Sequence, residues 1–174
     1  MPPTDRLHLI QADITTLDVD AIVNAANAAL APGGGVCGAI HRAAGPDLAE
    51  ACREVAPCPT GEARATPGFD LKARWIIHAV GPVWHNGTTD EDRLLASCYR
   101  AVLSLAERQG IESVAFPAIS TGIYGFPLER ATRIALREIG AALERSQVVR
   151  SVTCACFTAE TLAVYERIRG ELGL

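Results

Sequence analysis

The sequence predicts an α/β fold of three layers around a central mixed, largely parallel sheet. Short apolar segments typical of strands alternate with longer segments whose apolar residues recur at helical spacing. Alternation of this kind places helices on both faces of a parallel sheet. No repeat, low-complexity stretch or linker interrupts the chain, which predicts a single domain over residues 1–174.

Two short strands and a glycine-rich loop are predicted first. Leu7–Gln11 alternates apolar and polar residues, and residues 21–23 form a second strand. Residues 24–38 are rich in Asn, Ala and Gly, and three consecutive glycines at 33–35 are stable in neither a helix nor a strand. This stretch is therefore expected to be a loop.

Two helices and a buried strand follow this loop. Residues 37–44 predict a helix that stops at Gly45, and Asp47–Val55 predicts another with an aspartate near its start. Within residues 65–79, the apolar run 75–77 lies between turn signals on both sides, so it indicates a buried strand.

The C-terminal half continues the alternation. Glu91–Gln109 has apolar residues at helical spacing and ends before Gly110, a residue that suits a helix C-terminus. Pro117, inside the strand predicted at residues 114–119, implies a bulge or a strand end. The remaining predictions are a helix at residues 128–143, a strand at 148–157 and a helix at Ala159–Leu172.

Charge and cysteine usage narrow the class of protein. A net charge of −4 argues against a protein that neutralises many phosphates of a nucleic acid. No segment is apolar enough to suggest a membrane span or a leader, so a cytoplasmic location is expected. The six cysteines form no Cys-x-x-Cys pair and are expected to be free and mostly buried thiols.

Two glycine-rich loops follow predicted strands and are the candidate binding elements. The first glycine-rich loop, residues 33–38, precedes a helix, and the second glycine-rich loop, residues 120–125, adds hydroxyl groups and an aromatic ring. Backbone N–H groups in such loops can hold a phosphate without net positive charge, although a single glycine cluster can also be only a tight turn. No P-loop is present, and no G-x-G-x-x-G dinucleotide fingerprint follows the first predicted strand.

Four ordered strings extend over most of the chain: QADIT at residues 11–15, IVNAAN at 22–27, GGGVCGAIHRAAG at 33–45 and PAISTGIYG at 117–125. A fifth, HAVGP, occupies residues 78–82. Together they resemble the macrodomain family, and particularly its MacroD-like branch of ADP-ribosyl hydrolases and O-acetyl-ADP-ribose deacetylases. The resemblance implies a macrodomain fold and binding of ADP-ribose, of an ADP-ribosylated protein or of O-acetyl-ADP-ribose.

The resemblance also implies roles for single residues. Asp13 would accept a hydrogen bond from the adenine amino group, with the Ile14 N–H close to the ligand and Phe157 against the adenine. Asp13 could instead only cap the turn before Thr15, and Phe157 could be a core residue. The diphosphate would lie against the two glycine-rich loops, at Gly34, Gly35, Val36, Ser120, Thr121, Gly122, Ile123 and Tyr124, with Tyr124 also flanking the distal ribose.

Asn27 would hold the distal ribose and help to position the hydrolytic water, whereas Asn24 would fix the loop backbone. Both asparagines could instead serve turns. Where the MacroD-like pattern has the aspartate implicated in activating water, this chain has Cys37, a weaker hydrogen-bond acceptor.

Three outcomes are open for Cys37. A phosphate oxygen of the ligand could act as the base while Cys37 only shapes the pocket. The thiolate could act as base or nucleophile beside His41, against repulsion from the diphosphate. Turnover could also be lost, leaving a module that only reads ADP-ribose.

The expected function is therefore ADP-ribose binding with hydrolysis of mono-ADP-ribose from acidic side chains, deacetylation of O-acetyl-ADP-ribose, or both. The catalytic candidates are Asn27 and Cys37, and neither a cofactor nor a metal is expected. The alternatives are a non-catalytic reader of ADP-ribose and a binder of another nucleotide or phosphorylated metabolite.

Overall fold

Six strands form one sheet in the order β1-β6-β5-β2-β4-β3, in a computed structural model that describes residues 1–174. The strands are β1 Leu7–Gln11, β2 Ala21–Ala25, β3 Ala63–Pro67, β4 Trp75–Ala79, β5 Ser113–Phe116 and β6 Ser151–Cys156. The helices are α1 Pro3–Arg6, α2 Gly35–Ala44, α3 Asp47–Val55, α4 Glu91–Gln109, α5 Leu128–Arg145 and α6 Ala159–Leu172, with a 3-10 turn at Ile14–Thr16. All neighbouring strands are parallel except β3, which pairs antiparallel with β4.

Two apolar cores lie on opposite faces of this sheet. Because successive side chains of a strand point to opposite faces, Val23 of β2 belongs to the larger core and its neighbour Ile22 to the smaller one. The larger core includes residues of α4, α5 and α6, and the smaller core includes residues of α2 and α3. The predicted three-layer α/β fold with a mixed, largely parallel sheet is therefore confirmed.

Several element bounds differ from the prediction. Strand β2 continues to Ala25, so Asn24 is a strand residue paired in register with His78 rather than a loop residue. Helix α2 begins two residues earlier than predicted, at Gly35. The strand predicted at residues 114–119 ends at Phe116, immediately before Pro117, as a proline implies.

The edge strand β3 was not predicted. Its sequence, Ala-Arg-Ala-Thr-Pro, has little of the β-branched and aromatic content that marks strands, and it pairs on one side only. The six cysteines are all free and buried, as expected. None of the helices is both long enough and apolar enough to cross a membrane.

Candidate functional site

The candidate site lies at the carboxyl edge of the sheet, where the parallel strands end. Strands β1, β6, β5 and β2 are consecutive neighbours, and each is followed by residues that the sequence singled out. In open α/β sheets this edge is where ligands bind. The fold thus brings Asp13, Phe157, the second glycine-rich loop and Asn27 with the first glycine-rich loop to one side of the molecule.

Asp13, after β1, caps the 3-10 turn with one of its carboxylate oxygens. Its Oδ1 accepts hydrogen bonds from the Thr15 backbone N–H at 2.9 Å and the Thr15 hydroxyl at 2.7 Å. Its Oδ2 has no hydrogen-bond partner, and the residue is exposed. The capping role and an outward acceptor role are therefore compatible.

Phe157 follows β6 directly and is 78% exposed, so it is not a core residue. Strands β1 and β6 pair in register at Gln11 and Cys156, and the Ala12 N–H donates to the Cys156 carbonyl. Asp13 and Phe157 consequently leave adjacent strand ends. An exposed ring beside a free carboxylate oxygen suits a flat, polar-edged group such as a nucleobase.

The first glycine-rich loop leads into α2. Gly34 is the N-cap residue of the helix, and Gly35 has a φ of +55°, a left-handed conformation that favours glycine. No side chain caps the first turn, and residues 33–35 at its start are exposed. Gly34, Gly35 and Val36 therefore present backbone donors at a helix N-terminus, the arrangement that binds anions.

The second glycine-rich loop faces the first. A Cβ built on Gly34 would lie 3.7 Å from Ile123 Cδ1, and Ile123 is 87% exposed. Within the loop, the Phe126 N–H donates to the Ser120 carbonyl and the Gly125 N–H to the Gly122 carbonyl. The two loops thus approach each other at Gly34 and Ile123, and Thr121 and Tyr124 are only partly buried.

Ser120 and Gly81 meet behind the second glycine-rich loop. Ser120 is buried with a φ of +67°, and its Oγ has no hydrogen-bond partner. A Cβ on Gly81 would lie 2.1 Å from that oxygen, so only glycine allows this approach. Gly81 was not among the predicted site residues, although the HAVGP string contained it.

Trp84 is a second residue that the sequence interpretation missed. Its backbone N–H donates to the Tyr124 carbonyl at 2.8 Å, and its ring packs on Phe126 with centroids 4.8 Å apart. Arg130 lies over the Trp84 ring and makes two hydrogen bonds to Asp92. Trp84 therefore supports the second glycine-rich loop. This contact joins segments that are distant in sequence, so no local pattern predicts it.

Asn27 and Asn24 have different environments from those expected. The Asn27 carboxamide pairs with both backbone groups of Ala31 in its own loop: Nδ2 donates to the Ala31 carbonyl at 2.9 Å, and Oδ1 accepts from the Ala31 N–H at 3.0 Å. Asn24 is buried and contacts His78 at 3.0 Å and Cys37 at 3.8 Å. The Ala31 backbone is therefore held directly by Asn27, and Asn24 reaches it only through the Cys37 thiol.

Cys37 lies in the first turn of α2 and is buried. Its Sγ is 3.7 Å from the Ala31 carbonyl, to which the thiol donates, and 3.8 Å from Asn24 Nδ2. The thiol thus joins the peptide that Asn27 holds. His41, one turn further on, has a buried Nε2 without a partner, and burial lowers the pKa of its imidazole.

His78 is the most deeply buried titratable group near the site. Burial, and then the neighbouring His41, lower the pKa of His78 to about 4, so the ring is neutral at pH 7. No group of three or more His, Cys, Asp or Glu side chains is arranged to hold a metal ion.

Comparisons with known proteins identify the family of the chain. The Macro domain family model matches residues 23–135. A macro domain-containing protein of Ralstonia nicotianae is 54% identical over 97% of both chains, and an O-acetyl-ADP-ribose deacetylase of Escherichia fergusonii is 48% identical over 97% of both chains.

Solved structures are similar throughout the fold. The Oceanobacillus iheyensis macrodomain with ADP superposes with a TM-score of 0.92 at 42% identity, covering 95% of this chain and 90% of that one. A Trypanosoma brucei macrodomain in complex with ADP-ribose gives a TM-score of 0.88 at 44% identity, covering 93% and 68%. The chain belongs to the macrodomain family, as its sequence motifs indicated.

Proposed function

We propose that the chain binds ADP-ribose along the carboxyl edge of its sheet and hydrolyses acyl esters of the distal ribose. Its substrates would be O-acetyl-ADP-ribose and acidic side chains carrying mono-ADP-ribose. The relatives named as O-acetyl-ADP-ribose deacetylases support the first substrate, and the structures holding ADP-ribose or ADP support the ligand.

One observation carries the proposal: the strand order puts the candidate groups in the order of the ligand's own parts. Asp13 and Phe157, after β1 and β6, suit an adenine. The second glycine-rich loop, after β5, and the first, after β2, suit a diphosphate between them. Asn27, also after β2, then lies at the distal ribose.

The environment of Cys37 favours a structural role for the thiol over a role as base or nucleophile. Its hydrogen points to the Ala31 carbonyl, and its sulfur faces Asn24 inside the protein. A thiolate at this position would also repel a bound diphosphate. The base in the proposed hydrolysis is therefore a phosphate oxygen of the ligand, with the attacking water held beside Asn27.

A reader of ADP-ribose without turnover is the second candidate, because the group at position 37 is a thiol and not a carboxylate. Positioned carboxylate bases contribute roughly 10²–10⁴-fold to hydrolysis. We expect Cys37→Asp to raise kcat by at least tenfold while ADP-ribose affinity falls, because a carboxylate at this position repels the diphosphate as a thiolate would. Cys37→Ser, which keeps a neutral donor, is the matched control and should leave kcat unchanged within twofold.

The test combines isothermal titration with a turnover assay. Titration compares ADP-ribose with ADP and AMP, and turnover is followed on O-acetyl-ADP-ribose and on a glutamate-ADP-ribosylated protein. Binding with turnover by the wild-type chain supports the hydrolase. Binding with turnover only in Cys37→Asp assigns a reader, and absence of ADP-ribose binding refutes the whole proposal.

A further inference from the structure

A chain of buried hydrogen bonds runs from the edge strand β3 to the loop that holds Asn27. His78 Nε2 lies 2.9 Å from the Thr66 hydroxyl, and His78 Nδ1 lies 3.0 Å from Asn24 Nδ2. Thr66, His78 and Asn24 are all buried. By strand alternation, Asn24 and His78 share the face covered by α2 and α3, where Cys37 also lies.

The direction of these hydrogen bonds follows from their partners. The Thr66 hydroxyl donates to the Pro67 carbonyl at 3.3 Å, so we assign its oxygen as the acceptor of His78 Nε2–H, which also lies 3.7 Å from Cys52 Sγ. A neutral imidazole with its hydrogen on Nε2 has an acceptor at Nδ1, which receives one hydrogen of the Asn24 amide. The low pKa of this ring keeps it neutral at pH 7, which preserves that acceptor.

Asn24 connects His78 to the site by a second hydrogen bond. With one amide hydrogen on His78, the other is directed to the Cys37 sulfur, and the Cys37 thiol donates to the Ala31 carbonyl. Asn24 Oδ1 is buried without any partner, so only Nδ2 orients the amide, and its shorter contact is the one with His78 at 3.0 Å.

We propose that His78 is a positioning residue for the site: through Asn24 and the Cys37 thiol it holds the Ala31 backbone, against which the Asn27 carboxamide is oriented. His78 is fully buried within the sheet, so it cannot contact a bound ligand itself. Its effect on the reaction is indirect, through the placement of Asn27. The kinetic readout of this proposal rests on the proposed function, but the exchange and spectroscopic readouts below do not.

Two substitutions of His78 separate its contact with Asn24, made by Nδ1, from its contact with Thr66, made by Nε2. In His78→Asn the shorter side chain keeps an acceptor near the place of Nδ1, and in His78→Gln the longer one keeps a polar group near the place of Nε2. We expect His78→Gln to lower kcat on O-acetyl-ADP-ribose by about tenfold, the effect of about one lost hydrogen bond, with KM changed less than twofold. His78→Asn should lower kcat clearly less than His78→Gln does.

A stability control distinguishes positioning from loosened packing. Thr132→Val removes a buried hydroxyl that bonds the Leu128 carbonyl inside α5, far from this network. It should lower the unfolding free energy and leave kcat unchanged. Losses of kcat that are equal in the two His78 variants, or that follow stability in all three, overturn the proposal.

A ligand-free measurement keeps the inference independent of the enzymatic assay. The Ala31 amide donates to Asn27 Oδ1, so its hydrogen exchange reports how firmly the carboxamide is held. We expect about tenfold faster exchange at Ala31 in His78→Gln and no change in Thr132→Val; an unchanged rate in His78→Gln overturns the proposal. If the wild-type chain fails to bind ADP-ribose, the proposed function falls while this result still decides the role of His78.

A measurement on the wild-type chain covers the case in which the variants do not fold. Long-range ¹H–¹⁵N spectra at pH 7 should show His78 with a protonated Nε2 and an unprotonated Nδ1. A ring protonated at Nδ1, or at both nitrogens, would remove the acceptor for Asn24 and refute the inference.

Discussion

Replacing Asp13 by asparagine tests the adenine end of the site without removing the turn cap. In the wild-type chain Oδ1 accepts from the Thr15 N–H and hydroxyl, while Oδ2 is free. Both Thr15 groups are donors, so the carboxamide introduced at position 13 must keep its oxygen towards Thr15 and present its NH₂ outward. The variant Asp13→Asn therefore replaces an outward acceptor by an outward donor.

The magnitude follows from the hydrogen bond that is lost. A hydrogen bond to a charged group contributes roughly 1.5–3 kcal/mol, which corresponds to about ten- to a hundredfold in Kd for ADP-ribose. Folding should change little, because the cap on the 3-10 turn is retained. Asp13→Ala, the companion variant, loses both functions and should also lower the unfolding free energy by about 1 kcal/mol.

The decisive assay is a titration with two ligands that differ at one atom. ADP-ribose presents an amino donor at the purine 6-position, whereas the hypoxanthine analogue presents a carbonyl acceptor. Wild type should prefer ADP-ribose, and Asp13→Asn should reverse or abolish that preference. Equal affinities of wild type and Asp13→Asn for ADP-ribose would mean that Asp13 is only a turn cap.

Three further predictions concern the supports of the site. Gly81→Ala should lower the unfolding free energy by about 1–3 kcal/mol through its clash with Ser120 Oγ, and weaken ADP-ribose binding, measured by thermal unfolding and titration. Burial raises the pKa of Glu91, but hydrogen bonds from the His85 and Thr89 N–H groups prevail and lower it to about 2, so its stabilisation is present above about pH 4.5 and lost as the pH falls towards 2. Glu91→Gln should thus be less stable than wild type in urea at pH 7, with a difference that narrows below pH 4.5. Burial lowers the pKa of His78 from 6.5 to about 4, so the unfolded chain takes up the proton first and about 3 kcal/mol of stability should be lost as the pH falls from 6.5 to 4; His78→Gln should lose this contribution and keep only the smaller slope from His41.

Local patterns predicted the elements whose signals are local. Leu7–Gln11, Glu91–Gln109 and Ala159–Leu172 have the bounds that periodicity and terminal glycines indicated. Strand β3 was not predicted because its own residues have low strand propensity. It forms a strand through its antiparallel pairing with β4. Asn24 was assigned to a loop because it begins the stretch 24–38 that is rich in Asn, Ala and Gly, but the parallel pairing of β2 with β4 extends the strand over Asn24.

The site was predictable to the extent that it follows strand ends. A loop after a parallel strand must emerge at the carboxyl edge, so the two glycine-rich loops could be placed there from sequence. What sequence could not supply was the register across strands and the contacts between loops. The contact of Ser120 with Gly81 and that of Trp84 with the Tyr124 carbonyl both depend on those long-range relations.

The role of Cys37 in the reaction likewise depends on contacts that the sequence could not supply. From sequence alone, a cysteine at the position where the MacroD-like pattern has an aspartate indicates only a weaker base. In the fold, the thiol accepts from Asn24 and donates to the Ala31 carbonyl, so it connects the His78 network to the peptide held by Asn27. A carboxylate could accept from Asn24 but could not donate to Ala31. Cys37→Asp is therefore expected to gain a base and to loosen the Asn27 loop together, and faster hydrogen exchange at the Ala31 amide should accompany any rise in kcat.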